Sequence, residues 1–533
     1  MAYLKYSEIL KLNRELENND KSNSYNISIL SNITVFQSKD IIQYLLRKEG
    51  INSSIDFGSY DNIVQDSKEQ EDKNAVIIFW ELANLFDGLQ FKIEMLTDKE
   101  IDKIENKLKS EINFTLKNLK DCPLILFNKF SSLIFSSLTP NNNQLDKLAV
   151  RLNNFLDDSK QPNLRLINLD KIIANIGVDN CLDSRFYYSS KAPYTIKFFH
   201  YYSEFILPYF ISANGMAKKA IIFDCDNTLW GGVIGEDGIK GIKLSNSSSI
   251  GKIFQEIQTI ALSLANQGII IGICSKNNPK EVDQVFNSHP DMILKEQHIA
   301  IKAVNWSNKA TNLKKIAKEL NIGLDSLVFV DDSDFEVSLI KSQLPEVTVI
   351  KVPEKIYEYP KKIRDSLGLF YSLTNSLEDK RKTEIYRANK LRNIAKAEFL
   401  NIDDYLKSLK LKITIFKNDE SLISRLSQMT QKTNQFNLTT KRYTENEIEG
   451  MFLSDNTDIY AFSLKDTYGD SGIIGLCIIL KEDSIAVIDT LLMSCRVIGR
   501  NIEYVFMDYI VESLSKSNIK NIQSRFIKTM KNK

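Results

Sequence analysis

The chain has 533 residues, enough for two to four domains, because single hydrophobic cores stop growing well below that length. Its 69 basic and 68 acidic residues nearly cancel, which leaves no global field to gather nucleic acid or an anionic membrane surface. No window approaches the run of about 18 apolar residues that spans a bilayer, and the opening stretch MAYLKYSEILKLNREL is charged and amphipathic, so the expectation is a soluble, cytoplasmic protein.

Taken in chain order, a leading helix is followed by a strand over Asn26 to Phe36 (NISILSNITVF), a helix ended by Gly50, and strands in INSSIDFG and NAVIIFWEL. Strand and helix patterns alternate, the pattern of an α/β fold with a mostly parallel sheet covered on both faces. A second alternating block opens at AKKAIIF and continues through the strands GIIIGIC (Gly268 to Cys274) and SLVFV (Ser326 to Val330). A charged helical stretch, LEDKRKTEIYRANKLRNIAKAEF, reads as a solvated connector. The last block mixes the strands LKITIF, SGIIGLCIIL and SIAVIDTLLM with helices and reads as α+β. The expected boundaries are 1–214, 215–372, a connector over 373–410, and 411–533.

The stretch FDCDNTLWGGVIGEDG carries the chemistry. In an open α/β sheet, ligands sit outside the carboxyl ends of the strands, and Asp224 stands where AIIF stops. Asp226 can face the same point, and two neighbouring carboxylates repel unless a cation lies between them. A magnesium ion suits hard oxygen ligands and borrows substrate phosphate oxygens. Ser275 follows GIIIGIC, Lys309 opens a helix in NWSNKATNLKKIAKEL, and Asp331 and Asp332 follow SLVFV. Taken singly these are a helix cap, a surface cation and a turn. The six cysteines (Cys122, Cys181, Cys225, Cys274, Cys477 and Cys495) lack C-x-x-C spacing and read as reduced thiols rather than a zinc site or a disulfide framework.

In their order and types, these four motifs resemble those of the haloacid dehalogenase superfamily of aspartyl phosphotransferases. The resemblance implies that Asp224 is the nucleophile that accepts phosphoryl and that Asp226 is the general acid and base. It implies further that Thr228 holds the loop and that Ser275 and Lys309 neutralise the phosphoryl oxygens. Magnesium would be held by Asp224, Asp332 and the backbone carbonyl of Asp226, with Asp331 in support, although the two adjacent acids could exchange roles. The 34 positions from Ser275 to Lys309 leave no room for an inserted lid domain, and an uncovered site suits a bulky substrate or one presented by another protein.

DCDNTLWGGVIGEDG, ICSKNN, the NWSNK turn with LNIGLDSLVFVDDSDFE, QKTNQFNLTTKRY and SCRVIGR together resemble the FkbH-like family, a capless branch of that superfamily. The likeness extends to the N-terminal NISILSNITV and FGSYDNIVQD and so covers nearly the whole chain. It implies an SGNH-like or flavodoxin-like first domain, a haloacid dehalogenase-like Rossmannoid core and an acetyltransferase-like (GNAT-like) last domain, which is shortened where the chain ends at RFIKTMKNK. It also implies loading of a glyceryl unit from 1,3-bisphosphoglycerate onto the phosphopantetheine thiol of an acyl carrier protein, with loss of phosphate. That chemistry asks for a thiol, and Cys274 beside Ser275 is favoured over Cys495 beside Arg496. Arg496, Gly499 and Arg500 become candidate contacts for the carrier's arm at the start of the helix IEYVFMDYIVESL, although Asn501 stands where related acetyltransferases have a small residue. The first domain lacks the G-D-S and D-x-x-H of SGNH hydrolases; His200, among aromatics in IKFFHYY, reads as a packed histidine, and the domain as a binding or scaffolding unit. Two other readings stand beside glyceryl transfer: a simple phosphatase of a sugar or glycerate phosphate, and a carrier-docking module with a vestigial site.

Overall fold

The computed structural model describes residues 4–19, 24–86, 88–135, 143–373, 384–385, 388–389, 391–392, 395, 399, 401–433, 436–482, 484–494, 497–517 and 519–528. It divides into two compact units, Met1–Asn214 with Tyr443–Glu447, and Gly215–Arg442 with Ile448–Lys533. Most of the connector expected over 373–410 lies outside the described residues; the helix Ile402–Ser408 is its longest described part. Among the described residues no helix is long and apolar enough to cross a membrane.

The first unit is built on a parallel five-stranded sheet. Its strands are β1 (Tyr25–Ser31), β2 (Ser53–Phe57), β3 (Ala75–Phe79), β4 (Ile125–Asn128) and β5 (Leu164–Ile167), in the order β2-β1-β3-β4-β5. The sequence pattern carries the first strand to Phe36, but β1 stops at Ser31. Side chains take over the ladder there: Asn32 accepts from the Glu81 N–H at 2.6 Å and donates to the Glu81 carbonyl at 2.9 Å. Ser31 Oγ closes a local turn by accepting from the Ile33 N–H, and such competition ends strands as it ends helices. His200 lies on the helix Ile196–Ala213 at 8% exposure, where burial lowers its imidazole below the usual range.

The second unit holds two sheets. The parallel one comprises β6 (Ala220–Phe223), β7 (Ile270–Ser275), β8 (Ile301–Val304), β9 (Leu327–Asp331) and β10 (Thr348–Lys351), ordered β10-β9-β6-β7-β8. The side chains of β6, β7 and β9 alternate between two hydrophobic cores. Ile221, Phe223, Ile271, Ile273, Val328 and Val330 fill one face; Ala220, Ile222, Ile270, Cys274, Leu327 and Phe329 fill the other. A strand buried on both faces reads as an unbroken apolar run, which is why AIIF and LVFV stand out in the sequence. β6 has β9 on one side and β7 on the other, so the chain direction of winding reverses at its carboxyl end. That reversal opens the crevice in which the site is built.

The other sheet contains β11 (Lys412–Lys417), β12 (Phe436–Asn437), β13 (Thr457–Asp466), β14 (Gly469–Glu482), β15 (Ile485–Met493) and β16 (Asn521–Ser524). It is antiparallel in the order β11-β13-β14-β15-β12, with β16 parallel to β15, and the helix Ile502–Lys516 packs Ile502, Phe506, Ile510 and Leu514 against it. The chain is thus mixed α/β with two parallel sheets and one mostly antiparallel.

Candidate active site

Asp224 leaves β6 with its N–H bonded to the Val330 carbonyl of β9 at 2.9 Å, and the residue is 6% exposed. The backbone then turns sharply: the N–H groups of Thr228 and Leu229 return to the Cys225 carbonyl, and Asn227 adopts φ 51°. Gly232 is required in this loop, because its φ is 96° and a Cβ would lie 2.4 Å from an Asp237 oxygen.

Ser275 is the last residue of β7 and is 1% exposed. Lys309 is the first residue of the helix Lys309–Leu320, whose N-cap Asn308 accepts from the Ala310 N–H at 2.7 Å. Its ammonium lies 2.6 Å from Asp331 Oδ2 and 3.1 Å from Asp224 Oδ1. The second Asp331 oxygen accepts from the Ser333 N–H at 2.9 Å, so both of its oxygens are engaged. Asp224, Asp331 and Asp332 converge, each offering an oxygen within 4.8 Å of the others.

The electrostatics of this group are lopsided. Burial pushes the Asp224 carboxyl up to about 6, with Lys309 pulling against it and Asp331 adding to it. Burial raises Asp331 and Asp332 as well. Burial also works against the Lys309 ammonium, yet Asp224 and Asp331 together outweigh it and hold the lysine charged. Three carboxylates facing one ammonium lack positive charge. Asp224 Oδ1 is buried and meets the Lys309 ammonium at 3.1 Å without an aligned hydrogen bond, so it keeps lone-pair capacity for a hard cation. The donor set fits magnesium: Asp224 and Asp332 would be its side-chain ligands, while Asp331 anchors Lys309.

The Asp226 side chain is not among the converging acids. Its Oδ1 accepts from Trp230 Nε1 at 2.9 Å and from the Ile234 N–H at 3.0 Å, and its Oδ2 accepts from Asn277 Nδ2 at 2.9 Å. Only its backbone carbonyl is expected to reach the metal, and its side-chain oxygens face a cradle of three donors instead. Thr228 holds its loop through the backbone, its carbonyl accepting from Tyr359 OH at 3.3 Å, while its buried hydroxyl has no hydrogen-bond partner among the described residues.

Cys274 is also corrected. Adjacent residues of a strand face opposite sides of the sheet, so with Ser275 at the site the Cys274 thiol enters the core among Ala303, Ala310 and Leu313. It is fully buried, and burial pushes the thiol up to about 12, which leaves almost no thiolate. Cys495 and Arg496 lie outside the described residues. Gly499 has φ 83° in the turn before the helix Ile502–Lys516. Arg500 points inward, with its guanidinium 3.2 Å from Asp466 and bonded to Asn389 at 3.1 Å, and its side chain is 9% exposed. Its role as a contact for a carrier arm finds no support in that orientation, because the groups that would meet a phosphate already meet a carboxylate.

Sequence reasoning missed Trp230 and Asn277 as partners of Asp226, and also the Lys276–Glu336 ion pair (2.6 Å), which links the loop after β7 to the helix Asp334–Gln343. Trp306 and Phe335, 74% and 69% exposed, each stand three positions from a site residue and are available to a ligand larger than phosphate.

No protein-family model and no curated protein matches the chain. Among solved structures it is similar to the N-terminal part of the protein BF1531 from Bacteroides fragilis, described as containing a phosphatase domain complexed with Mg. The two share 26% identity with a TM-score of 0.59, over 70% of this chain and 100% of that one. Two others overlay too poorly to carry an argument. One is a glucosamine N-acetyltransferase region of a fungal β-N-acetylglucosaminidase (11% identity, 99% of this chain, 64% of that one, TM-score 0.17). The other is apo D-lactate dehydrogenase from Escherichia coli (12%, 70%, 97%, 0.12). The chain thus has a mixed α/β, Rossmann-like core.

Proposed function

We propose that the chain is a magnesium-dependent phosphatase that works through an aspartyl phosphate on Asp224. The observation that carries this reading is the meeting of Asp224, Lys309, Asp331 and Asp332 at the carboxyl end of β6. The likeness to a phosphatase domain complexed with Mg supports it.

An Asp224 oxygen attacks phosphorus and the bond from phosphorus to the leaving oxygen breaks, while the Asp226 carboxyl gives that oxygen its proton. Asp226 then takes a proton from water, the water oxygen bonds to phosphorus, and the Asp224 carboxylate leaves as phosphate is released. Lys309 and the Ser275 hydroxyl face the charge on the transferring phosphoryl oxygens, where preorganised donors contribute most. Magnesium, when bound, supplies Lewis-acid stabilisation of those oxygens and relieves the repulsion among the acids.

The finer reading is that the phosphate hydrolysed through Asp224 is the C3 ester of 1,3-bisphosphoglycerate, while the phosphopantetheine thiol of an acyl carrier protein loses its proton and attacks the C1 acyl carbon, displacing the second phosphate and leaving a glyceryl thioester on the carrier. The family resemblance supports it, as does the short span from Ser275 to Lys309, which leaves no room for an inserted lid domain. A simple phosphatase of a sugar or glycerate phosphate is the second reading, and the burial of Cys274 favours it by removing a thiol from the site. The test incubates the full chain with magnesium, 1,3-bisphosphoglycerate and a panel of phosphopantetheinylated carriers, then weighs the carriers. A mass gain of one glyceryl unit supports transfer, phosphate release alone supports the simple phosphatase, and carrier binding with neither leaves a docking module.

A further inference from the structure

Asn277 lies two residues beyond Ser275, is 4% exposed, and touches two groups of the proposed machinery with one nitrogen. Its Nδ2 is 2.9 Å from Asp226 Oδ2 and 3.1 Å from Ser275 Oγ. A side-chain amide nitrogen only donates, so both contacts are donations from Asn277, to a carboxyl oxygen and to a hydroxyl oxygen. We infer that Asn277 is a positioning residue that sets the proton-transfer carboxylate and the phosphoryl-binding hydroxyl together. The inference rests on the phosphatase reading above.

Two consequences follow from the direction of these bonds. Ser275 has one proton to give. With an N–H already donated to its oxygen, that proton turns away from Asn277, toward Asp224 and the phosphoryl group. Asp226, meanwhile, has Oδ1 held by Trp230 and Ile234, which follow it in the chain; Oδ2 is tied, among the described residues, by Asn277, which comes from β7's loop. The plane of the carboxylate is thereby fixed relative to the strand that carries Ser275. A misaimed base hurts the attack of water more than it hurts the attack of Asp224 when the leaving group needs little protonation.

The test uses the full chain, magnesium and p-nitrophenyl phosphate, whose leaving group departs with little help. Wild type, Asn277→Ala and Asn277→Asp are compared in kcat, in KM, in unfolding midpoint and in the fraction of Asp224-containing peptide that carries phosphoryl after an acid quench. For Asn277→Ala we expect kcat to fall about tenfold to a hundredfold with KM little changed, and phosphoenzyme to accumulate. Asn277→Asp keeps the shape but sets a carboxylate against Asp226 and accepts the Ser275 proton, so its loss should exceed that of Ala. Variants that fold and turn over like wild type, or that slow without accumulating phosphoenzyme, overturn the inference alone; if one variant does not fold, the other decides. A wild type that never carries phosphoryl on Asp224 overturns the phosphatase reading, and this inference with it.

Discussion

Lys309 and Asp331 form a buried ion pair at 2.6 Å, with neither side chain more than 4% exposed. The lysine begins a helix after β8 and the aspartate ends β9, so the pair joins two strands that flank the β6–β7 centre of the sheet. Removing one member leaves the other as an uncompensated buried charge. Lys309→Met should destabilise the magnesium-free protein by about 3 kcal/mol in denaturant unfolding. It should also lower magnesium-dependent phosphate release at least about a hundredfold. A stable and active variant would show that the lysine is dispensable to both.

Cys274 tests the correction made to the sequence reading. Because its thiol is packed in the core and held almost wholly protonated, Cys274→Ala should cost about 1 kcal/mol of stability and leave phosphate release within about twofold. Loss of glyceryl transfer with phosphate release intact would return the thiol to the chemistry.

Glu81, in the first unit, makes stability depend on pH. It is 4% exposed, accepts a hydrogen bond from Tyr194 OH at 2.7 Å, and burial pushes its carboxyl up from 4.5 to about 7. A carboxyl with a raised folded value contributes its full stability below 4.5 and loses it as pH climbs through 7. Relative to Glu81→Gln, the wild type should therefore lose about 3 kcal/mol of unfolding free energy between pH 4.5 and 7.5. Equal pH profiles would mean that Glu81 is solvated.

Trp306 and Phe335 follow strands β8 and β9, three strand spacings apart, or about 14 Å, with the β6 and β7 ends between them. If the leaving group is carried by a protein, Trp306→Ala and Phe335→Ala should each raise its KM about tenfold, as exposed aromatic anchors do. Turnover of acetyl phosphate, too small to span the rim, should change less than threefold or so. Equal effects on both substrates would assign the aromatics to the site itself.

The strands bearing the acids were legible because burial on both faces makes them apolar throughout, so that a carboxylate at the end of such a run stands out. The exact last residue of a strand was not legible, and it decided the most. Ser275 lies inside β7 rather than after it, and this one position turns Cys274 to the opposite face. The end of β1 was hidden for a related reason, since Asn32 is bonded to Glu81 across the sheet and pairs at that separation leave no periodic mark. Asn277 and Trp230 were missed because a polar loop residue that acts through a hydrogen bond looks like any other loop residue. Arg500 reads as a candidate contact for a carrier arm at a helix start, because its partner Asp466 stands on β13, 34 positions earlier.

The most direct measurement compares wild type with Asp224→Asn for magnesium-dependent phosphate release, with the Asp224 peptide weighed after a rapid quench. A phosphoryl group is expected on that peptide in wild type only, with a loss of turnover of at least about a thousandfold in the variant. Undiminished turnover by Asp224→Asn, or phosphoryl found on another residue, would contradict it.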